Sequence, residues 1–223
     1  MPRESRVVCA DYPYHVTQRG NYRQNVFEDD EDREVYMNYF MEYKEKFGVK
    51  LFAYCLMDNH VHFIVEPSTE DGLAKLFSVV HMRYSQHFNK KKGSRGQLWQ
   101  GRFFSCPLDK EHLYEAIRYV ELNPLRAGIT SSFEGYSWSS LQEHLLGKGR
   151  YPVDGVDDHL EIDNWKAYLS ESINEDVLDT LRERTKRNRP AGSASFIKKL
   201  EKLSGKTFNL VGRGRPRKKE SVK

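Results

Sequence analysis

The amino-acid sequence predicts an α+β fold of the ferredoxin-like (split βαβ) class, an antiparallel sheet with helices mainly on one face. Two observations support this class. First, strand-like and helix-like hydrophobic repeats follow each other over residues 12–123 as strand, helix, strand, strand, helix, strand, helix. Second, residues 51–66 form two β-rich runs on either side of the tight turn Asp58-Asn59, which indicates a hairpin. The first six elements have the split βαβ order, and the seventh is an added helix that can lie against the sheet near its centre.

Local signals give the extent of each element. Gly20 stops the first strand, Gly48 ends the first helix, and Pro124 closes the third. The predicted strands are residues 12–20, the two arms of 51–66, and a candidate within 97–108. The predicted helices are residues 29–47, 72–88 and 109–123.

Composition narrows the class of protein. A chain of 223 residues can hold one well-cored domain and a small appendage. Its apolar runs fall short of the ~20 residues of a membrane helix, so no membrane partner is expected. Three widely spaced cysteines favour reduced thiols and a cytoplasmic location. Residues 205–223 carry a net charge of +6, whereas the rest of the chain sums to −2. A basic tail on a nearly neutral body favours nucleic acid as the partner, although a solubilising tail has the same composition.

The same signals divide the chain into four parts. Asn174 and Ser195 are predicted helix caps in the C-terminal half. Two helices around a tight turn there permit a helix-turn-helix interpretation, and a helical buttress is equally compatible. The predicted parts are an α+β domain over 1–130, a connecting segment with an acidic loop over 131–163, a small helical region over 164–204, and a basic tail over 205–223.

His60 and His62 are candidate metal ligands. Residues two apart on a strand point to the same face, so both imidazoles project together from the second arm of the hairpin. Two neighbouring imidazoles are half of a metal site. An isolated His-x-His is more often a pair of half-buried histidines, so other residues must decide.

Tyr119 and Asn123 are candidate partners of these histidines. They lie four residues apart on the third predicted helix, at the boundary of its buried stripe. A tyrosine that packs its ring and an asparagine that caps the helix would show the same pattern. With His60 and His62, however, the Asn123 amide completes a three-ligand set with open coordination positions, which suits a metal that binds a phosphate oxygen. Tyr119 would then be a nucleophile beside the polarised phosphate.

Four segments resemble the HUH single-tyrosine transposases, and among them the REP-associated tyrosine transposases. They are YHVTQRG (14–20), MDNHVHFIV (57–65), LWQGRFF (98–104) and YVELNPLRAG (119–128). The resemblance implies a metal-dependent endonuclease and strand transferase that acts on single-stranded DNA in hairpin or palindromic repeats. It implies Tyr119 as the nucleophile of a 5′-phosphotyrosine intermediate and His60 and His62 as metal ligands. The expected metal is Mg²⁺ or Mn²⁺, although imidazole ligands would also accept zinc. Asn123 matches a position where other branches carry Gln.

The resemblance leaves other properties open. It is compatible with a monomer or a homodimer, and it implies a cytoplasmic, nucleoid-associated enzyme. A non-catalytic, sequence-specific DNA-binding protein derived from the same fold is the alternative.

Further DNA contacts are expected from residue type. Arg19, Arg83, Arg95 and Arg102 could hold phosphates, and each could also be a plain surface cation. Trp99 could stack on an unpaired base or pack in the core. In the tail, an Arg-Gly-Arg-Pro string resembles an AT-hook, whose cations Arg213 and Arg215 would enter a minor groove unless the tail is simply basic.

Overall fold

The structure is a computed structural model and describes residues 8–132 and 135–208. The four strands of its sheet are β1 (Tyr14–Arg19), β2 (Val49–Met57), β3 (His60–Pro67) and β4 (Phe104–Pro107). The helices of the described residues are α1 (Asp30–Lys46), α2 (Gly72–Lys91), α3 (Lys110–Glu121), α4 (Asn123–Arg126), α5 (Leu141–Leu146), α6 (Trp165–Ser170), α7 (Glu175–Arg187) and α8 (Ala194–Ser204). None of the helices that the structure describes is long and apolar enough to cross a membrane.

The sheet confirms the predicted fold class. Its strand order is β2-β3-β1-β4, and every neighbouring pair is antiparallel. With α1 between β1 and β2 and α2 between β3 and β4, this is the ferredoxin-like arrangement. The hairpin turn lies at Asp58-Asn59 as predicted, so β3 begins at His60.

Side chains alternate between two helical layers. On β3, Val61, Phe63 and Val65 pack with α1 and α2 in an aromatic-rich core. Ile64 faces the opposite way, toward a second core that contains the buried stripe of α3. The added helix therefore covers the second face of the sheet, where β1 and β3 lie at the centre.

The C-terminal helices belong to this second core. Leu178 and Leu181 of α7 are fully buried in the same cluster as Ile64 and the α3 stripe. Arg118, buried on α3, donates to Glu171 at 2.7 Å and so ties α3 to the segment before α7. The second core thus contains residues from both sides of positions 130 and 163, and α7 packs in it against the sheet.

The predicted acidic connection is packed against the sheet edge. Asp154 accepts hydrogen bonds from the backbone N–H of Leu51 at 2.6 Å and from Nζ of Lys44 at 2.9 Å. Val156 and Leu160 are buried in the second core. The segment thus covers strand β2, whose edge would otherwise present unpaired backbone groups.

Three local predictions need correction. The last strand covers only Phe104–Pro107, because the preceding loop turns at Gly96 (φ 122°) and Gly101 (φ 135°), where the backbone leaves the strand region. Pro124 does not end the helical path, since it sits in the first turn of α4, where its missing N–H costs nothing. The cap of α8 is Ser193, which accepts from the Phe196 N–H, whereas Asn174 caps α7 as predicted.

Candidate active site

His60 and His62 lie side by side at the start of β3. Their rings meet edge to face with centroids 4.9 Å apart. Burial, with a smaller effect of the Arg19 charge, lowers the pKa of His60 to about 4. Burial also lowers the pKa of His62 well below its ordinary value. Both imidazoles are therefore neutral at neutral pH, the form that offers a lone pair to a metal.

A buried hydrogen-bond chain runs from His62 to α7. Nδ1 of His62 lies 2.8 Å from Nε2 of His15, and Nδ1 of His15 lies 2.9 Å from Oγ1 of Thr185. His15 is neutral because burial lowers its pKa to about 3. On the neighbouring ligand candidate, Nδ1 of His60 contacts Oδ1 of Asn59 at 2.6 Å. Both candidate ligands thus use Nδ1 within the protein and leave Nε2 for another partner.

Helix α3 brings Tyr119 to these histidines. Asp109 caps the helix by accepting from the His112 N–H, and the stripe of Leu113, Ala116, Ile117 and Val120 buries one side against the sheet. Tyr119, at the stripe's boundary, is half-buried, and its ring lies edge-on to His62 with centroids 5.5 Å apart. It also meets His15 at 6.2 Å. The tyrosine and histidines therefore belong to one cluster within a single chain.

Asn123, the predicted third metal ligand, lies just beyond the end of α3. It is buried and begins α4, one residue beyond the Leu122 that separates α3 from α4. Nowhere in residues 8–132 and 135–208 do three or more His, Cys, Asp or Glu side chains form a metal-binding group. The Asn123 amide, a donor outside these four residue types, stays the predicted third ligand.

Helix α7 adds a cation that sequence reasoning missed. The Arg182 guanidinium lies 5.3 Å from the Tyr119 ring centroid. Although burial opposes it, hydrogen bonds to Asp179 and Tyr119 raise the pKa of Arg182. Arg182 and Thr185 are three residues apart and so share a face of α7. The run of arginines in this helix was visible in the sequence, and Leu178, Leu181 and Thr185 mark the buried stripe that Arg182 borders.

The family model for IS200-like transposases matches residues 9–123, which contain β1, the hairpin and the tyrosine helix. The chain belongs to the IS200-like transposase family. Arg182 and Thr185 lie beyond the matched residues, so α7 contributes to the cluster from outside the family's common region.

Two solved structures are similar to this chain, and the first shares its fold. A REP-associated tyrosine transposase bound to a REP hairpin superposes with a TM-score of 0.53 at 17% identity, covering 73% of this chain and 96% of that one. A candidate transposase from Deinococcus radiodurans R1 gives a TM-score of 0.38 at 19% identity, covering 57% of this chain and 92% of that one. Among curated proteins, no sequence relative matches the chain.

Two of the predicted phosphate contacts lie at the histidine end of this transposase's sheet. Arg19 is half-buried and pairs with His60 across strands β1 and β3. Arg102 is exposed in the loop before β4, which is held to β1 because the Gln100 N–H donates to the Arg19 carbonyl at 2.9 Å. Both cations thus lie near the ends of strands that carry the site.

The remaining predicted DNA contacts are not gathered there. Arg83 is exposed on α2, with its guanidinium over the Tyr43 ring of α1 at 5.3 Å, in the helical layer opposite Tyr119. Arg95 is exposed in the loop after α2. Trp99 is 7% exposed and packs on His81, so burial argues against the predicted base stacking. Arg213 and Arg215 lie outside the described residues.

Proposed function

We propose that this transposase cleaves and rejoins single-stranded DNA through Tyr119, with a divalent metal, Mg²⁺ or Mn²⁺, held at His60 and His62. The edge-on approach of the Tyr119 ring to His62, at 5.5 Å within one chain, is the observation that carries the proposal. Hairpin or palindromic repeat DNA is the proposed substrate, supported by the likeness to a transposase solved on a REP hairpin.

The donor set fits a divalent metal. If His62 donates its Nδ1–H to His15 and His15 donates to Thr185, the Nε2 lone pair of His62 is left free. The Asn59 contact does the same for His60. Metal-binding histidines generally use their second ring nitrogen in this way. The Asn123 amide oxygen is the proposed third donor, and the open positions suit phosphate oxygens.

The proposed reaction exchanges one phosphodiester for another. A bound divalent metal would act as a Lewis acid on the scissile phosphate. The Tyr119 oxygen attacks phosphorus, the bond from phosphorus to the 3′-oxygen breaks, and the phenol gives up its proton to solvent. The leaving 3′-oxygen takes up a proton and becomes a hydroxyl, while Tyr119 holds the 5′-phosphate. Attack by a 3′-hydroxyl on this phosphotyrosine rejoins the strand and restores the phenol.

Two arginines support the proposed step. Arg182, beside the Tyr119 ring, stabilises negative charge that develops on the phenol oxygen. Arg19, across from His60, holds a phosphate of the incoming strand. The proposed nucleophile and histidines lie together in one chain, an arrangement that a monomer or a homodimer with its tyrosine in cis can use. Acting on genomic repeats, it works in the cytoplasm at the nucleoid.

Covalent trapping tests the proposal. Single-stranded hairpin libraries are incubated with Mn²⁺, and the protein-bound strands are separated under denaturing conditions and sequenced. Wild-type protein and Tyr114→Phe, a control on the same helix, should form an adduct, and Tyr119→Phe should form none while hairpin affinity stays near wild type. An adduct that persists in Tyr119→Phe would move the nucleophile elsewhere. Hairpin binding by the wild type without an adduct in Mg²⁺ or Mn²⁺ would favour the non-catalytic DNA-binding alternative.

A further inference from the structure

A solvent-exposed tyrosine stands at the histidine end of the sheet. Tyr22, in the short 3-10 turn Asn21–Arg23, is 94% exposed, whereas the other exposed large hydrophobic residues of the described chain reach at most 57%. A ring this exposed adds almost nothing to core packing. If a ligand covers this ring, the free energy of burying its apolar surface therefore contributes to binding.

The turn holds this ring on a strained backbone. Tyr22 has φ 51° and ψ 22°, and Arg23 follows with φ 61°. Two successive left-handed residues that are not glycine are costly, and such strain is concentrated at functional sites. Gly20 makes the turn possible, because a Cβ there would lie 2.3 Å from the Gln24 carbonyl oxygen.

Hydrogen bonds fix the turn to the candidate active site. The Gly20 N–H donates to the Asn59 carbonyl at 2.9 Å, and the Asn21 N–H donates to the Leu98 carbonyl at 2.8 Å. Asn59 makes the direct connection, since its Nδ2 donates to the Arg23 carbonyl at 3.3 Å while its Oδ1 contacts Nδ1 of His60 at 2.6 Å. The backbone of the turn that carries the exposed ring is thus connected through Asn59 to a candidate metal ligand.

The cations around this turn are uncommitted. Within residues 8–132 and 135–208, Arg19, Arg23 and Arg102 form no ion pair. Arg182 and Arg118 are different, because each pairs with a carboxylate. Arg19 and Arg23 flank the exposed Tyr22 in sequence, and this combination is typical of single-strand binding surfaces, where arginines hold phosphates and rings stack on bases.

We propose that Tyr22 stacks on an unpaired base of the single strand that enters the active site, with Arg19 and Arg23 on the adjoining phosphates. The inference rests on the DNA-processing role of the family and deepens the proposed function by placing the strand at the His60 end of the sheet. Stacking tolerates any base because every base has a π face. Bases inside a duplex are already stacked on both faces, so the site favours single strands.

Binding measurements on four proteins test the proposal. Fluorescence anisotropy gives the affinity of wild type, Tyr22→Ala, Tyr22→Phe and Tyr22→Asn for an oligothymidine single strand and for a blunt duplex. Tyr22→Ala should weaken single-strand binding about five- to a hundredfold and leave duplex binding unchanged. Tyr22→Phe should stay within about twofold of wild type, because the ring remains. Tyr22→Asn should behave like the alanine variant, although asparagine favours the left-handed turn.

The variants separate stacking from other causes. Met82→Ala removes another exposed apolar side chain, on α2 in the opposite layer, and should bind both DNAs like wild type. Equal single-strand affinity of Tyr22→Ala and wild type would overturn the proposal. So would equal losses on single strand and duplex, or full binding by Tyr22→Asn, which would assign the effect to the turn. Covalent trapping by Tyr119 is scored separately, so a wild type that stacks DNA without forming an adduct would sink the proposed chemistry and leave this inference standing.

Discussion

The two faces of the sheet are built from the same strands and filled with different chemistry. Toward α1 and α2, strand β3 presents Val61, Phe63 and Val65, all fully buried, and Phe63 stacks on Phe40 with centroids 4.4 Å apart. Toward α3 and α7, the neighbouring positions on the same strand are His60 and His62. Both faces are covered by helices, so solvent exposure does not explain the difference.

The buried histidines on the α3/α7 face are expected to stabilise the fold less than apolar side chains would. Burying an imidazole costs free energy unless its nitrogens are hydrogen-bonded, whereas an apolar side chain in that position would add stability. His15 and His62 are buried, and their hydrogen bonds run to each other and to Thr185. A local departure from an otherwise apolar pattern marks a functional site. Both faces carry an apolar core, and the α3/α7 face also holds the candidate tyrosine site.

The largest expected effect comes from comparing a substitution on one face of the sheet with a double substitution on the other. Phe63→Ala should lower the free energy of unfolding by about 3–5 kcal/mol, because it empties a filled aromatic core. The double variant His60→Ala/His62→Ala should lower it much less and abolish both Mn²⁺ binding and DNA cleavage. Urea denaturation in chelator and the covalent-trapping assay measure the two losses. A double variant as unstable as Phe63→Ala, or one that still cleaves DNA in chelator, would make the histidines packing residues.

The next effect concerns the contact between α7 and the tyrosine. Arg182→Gln should slow single-turnover adduct formation about 10- to 100-fold, because a charged hydrogen bond to the reacting side chain is worth about 1.5–3 kcal/mol. Arg187→Gln is the matched control, since Arg187 pairs with Glu183 on the same helix. Equal rates for the two variants would remove Arg182 from the site.

A smaller effect is expected at the far end of the hydrogen-bond chain. Thr185→Val keeps the side-chain shape and removes the oxygen that contacts His15. His15 then no longer favours the tautomer that leaves Nε2 of His62 free, so Mn²⁺ affinity should fall about tenfold. Calorimetry measures this affinity, and saturating Mn²⁺ should restore cleavage. Unchanged affinity in Thr185→Val would show that the chain does not orient the ligand.

A further effect is a change in the pH dependence of stability. The pKa of His15 is about 3 in the folded protein against an ordinary 6.5, so the unfolded chain takes up the proton first as pH falls. The stability that neutral His15 contributes is complete above that ordinary value and is lost progressively toward pH 3, at about 1.4 kcal/mol per pH unit. His15→Gln should flatten the slope of unfolding free energy against pH by about that amount, in chelator. An unchanged slope would mean that His15 is not buried as a neutral group.

Local patterns predicted the parts of the site that lie close in sequence. The two-residue repeat of β3 placed His60 and His62 on one face, because alternation on a strand needs no knowledge of its neighbours. The same reasoning placed Tyr119 at the edge of a buried stripe. His15 was visible in the first strand, but its contact with Thr185 spans 170 positions, and no local pattern encodes such a separation.

The residues whose roles the sequence did not predict also depend on contacts between distant parts of the chain. Trp99 looks like a base-stacking residue by type, and only the folded loop shows its ring buried on His81. In the sequence, Arg182 is one of several cations in α7. Only the packing of α7 against α3 shows that its guanidinium lies beside Tyr119. Tyr22 has no signal of its own beyond the turn at Gly20, because exposure follows from how the turn is held against Asn59.

The most direct test of the tyrosine site is to identify the residue that carries DNA after reaction. Wild-type protein is trapped on a cleaved single strand with Mn²⁺, the DNA is digested to a nucleotide stub, and the protein is mapped by peptide mass spectrometry. The stub should lie on Tyr119, attached through its 5′-phosphate, and it should be absent from His60→Ala/His62→Ala. A stub on Tyr22, Tyr114 or any other residue, or a stub on Tyr119 in the double variant, would contradict a metal-dependent site on the α3/α7 face.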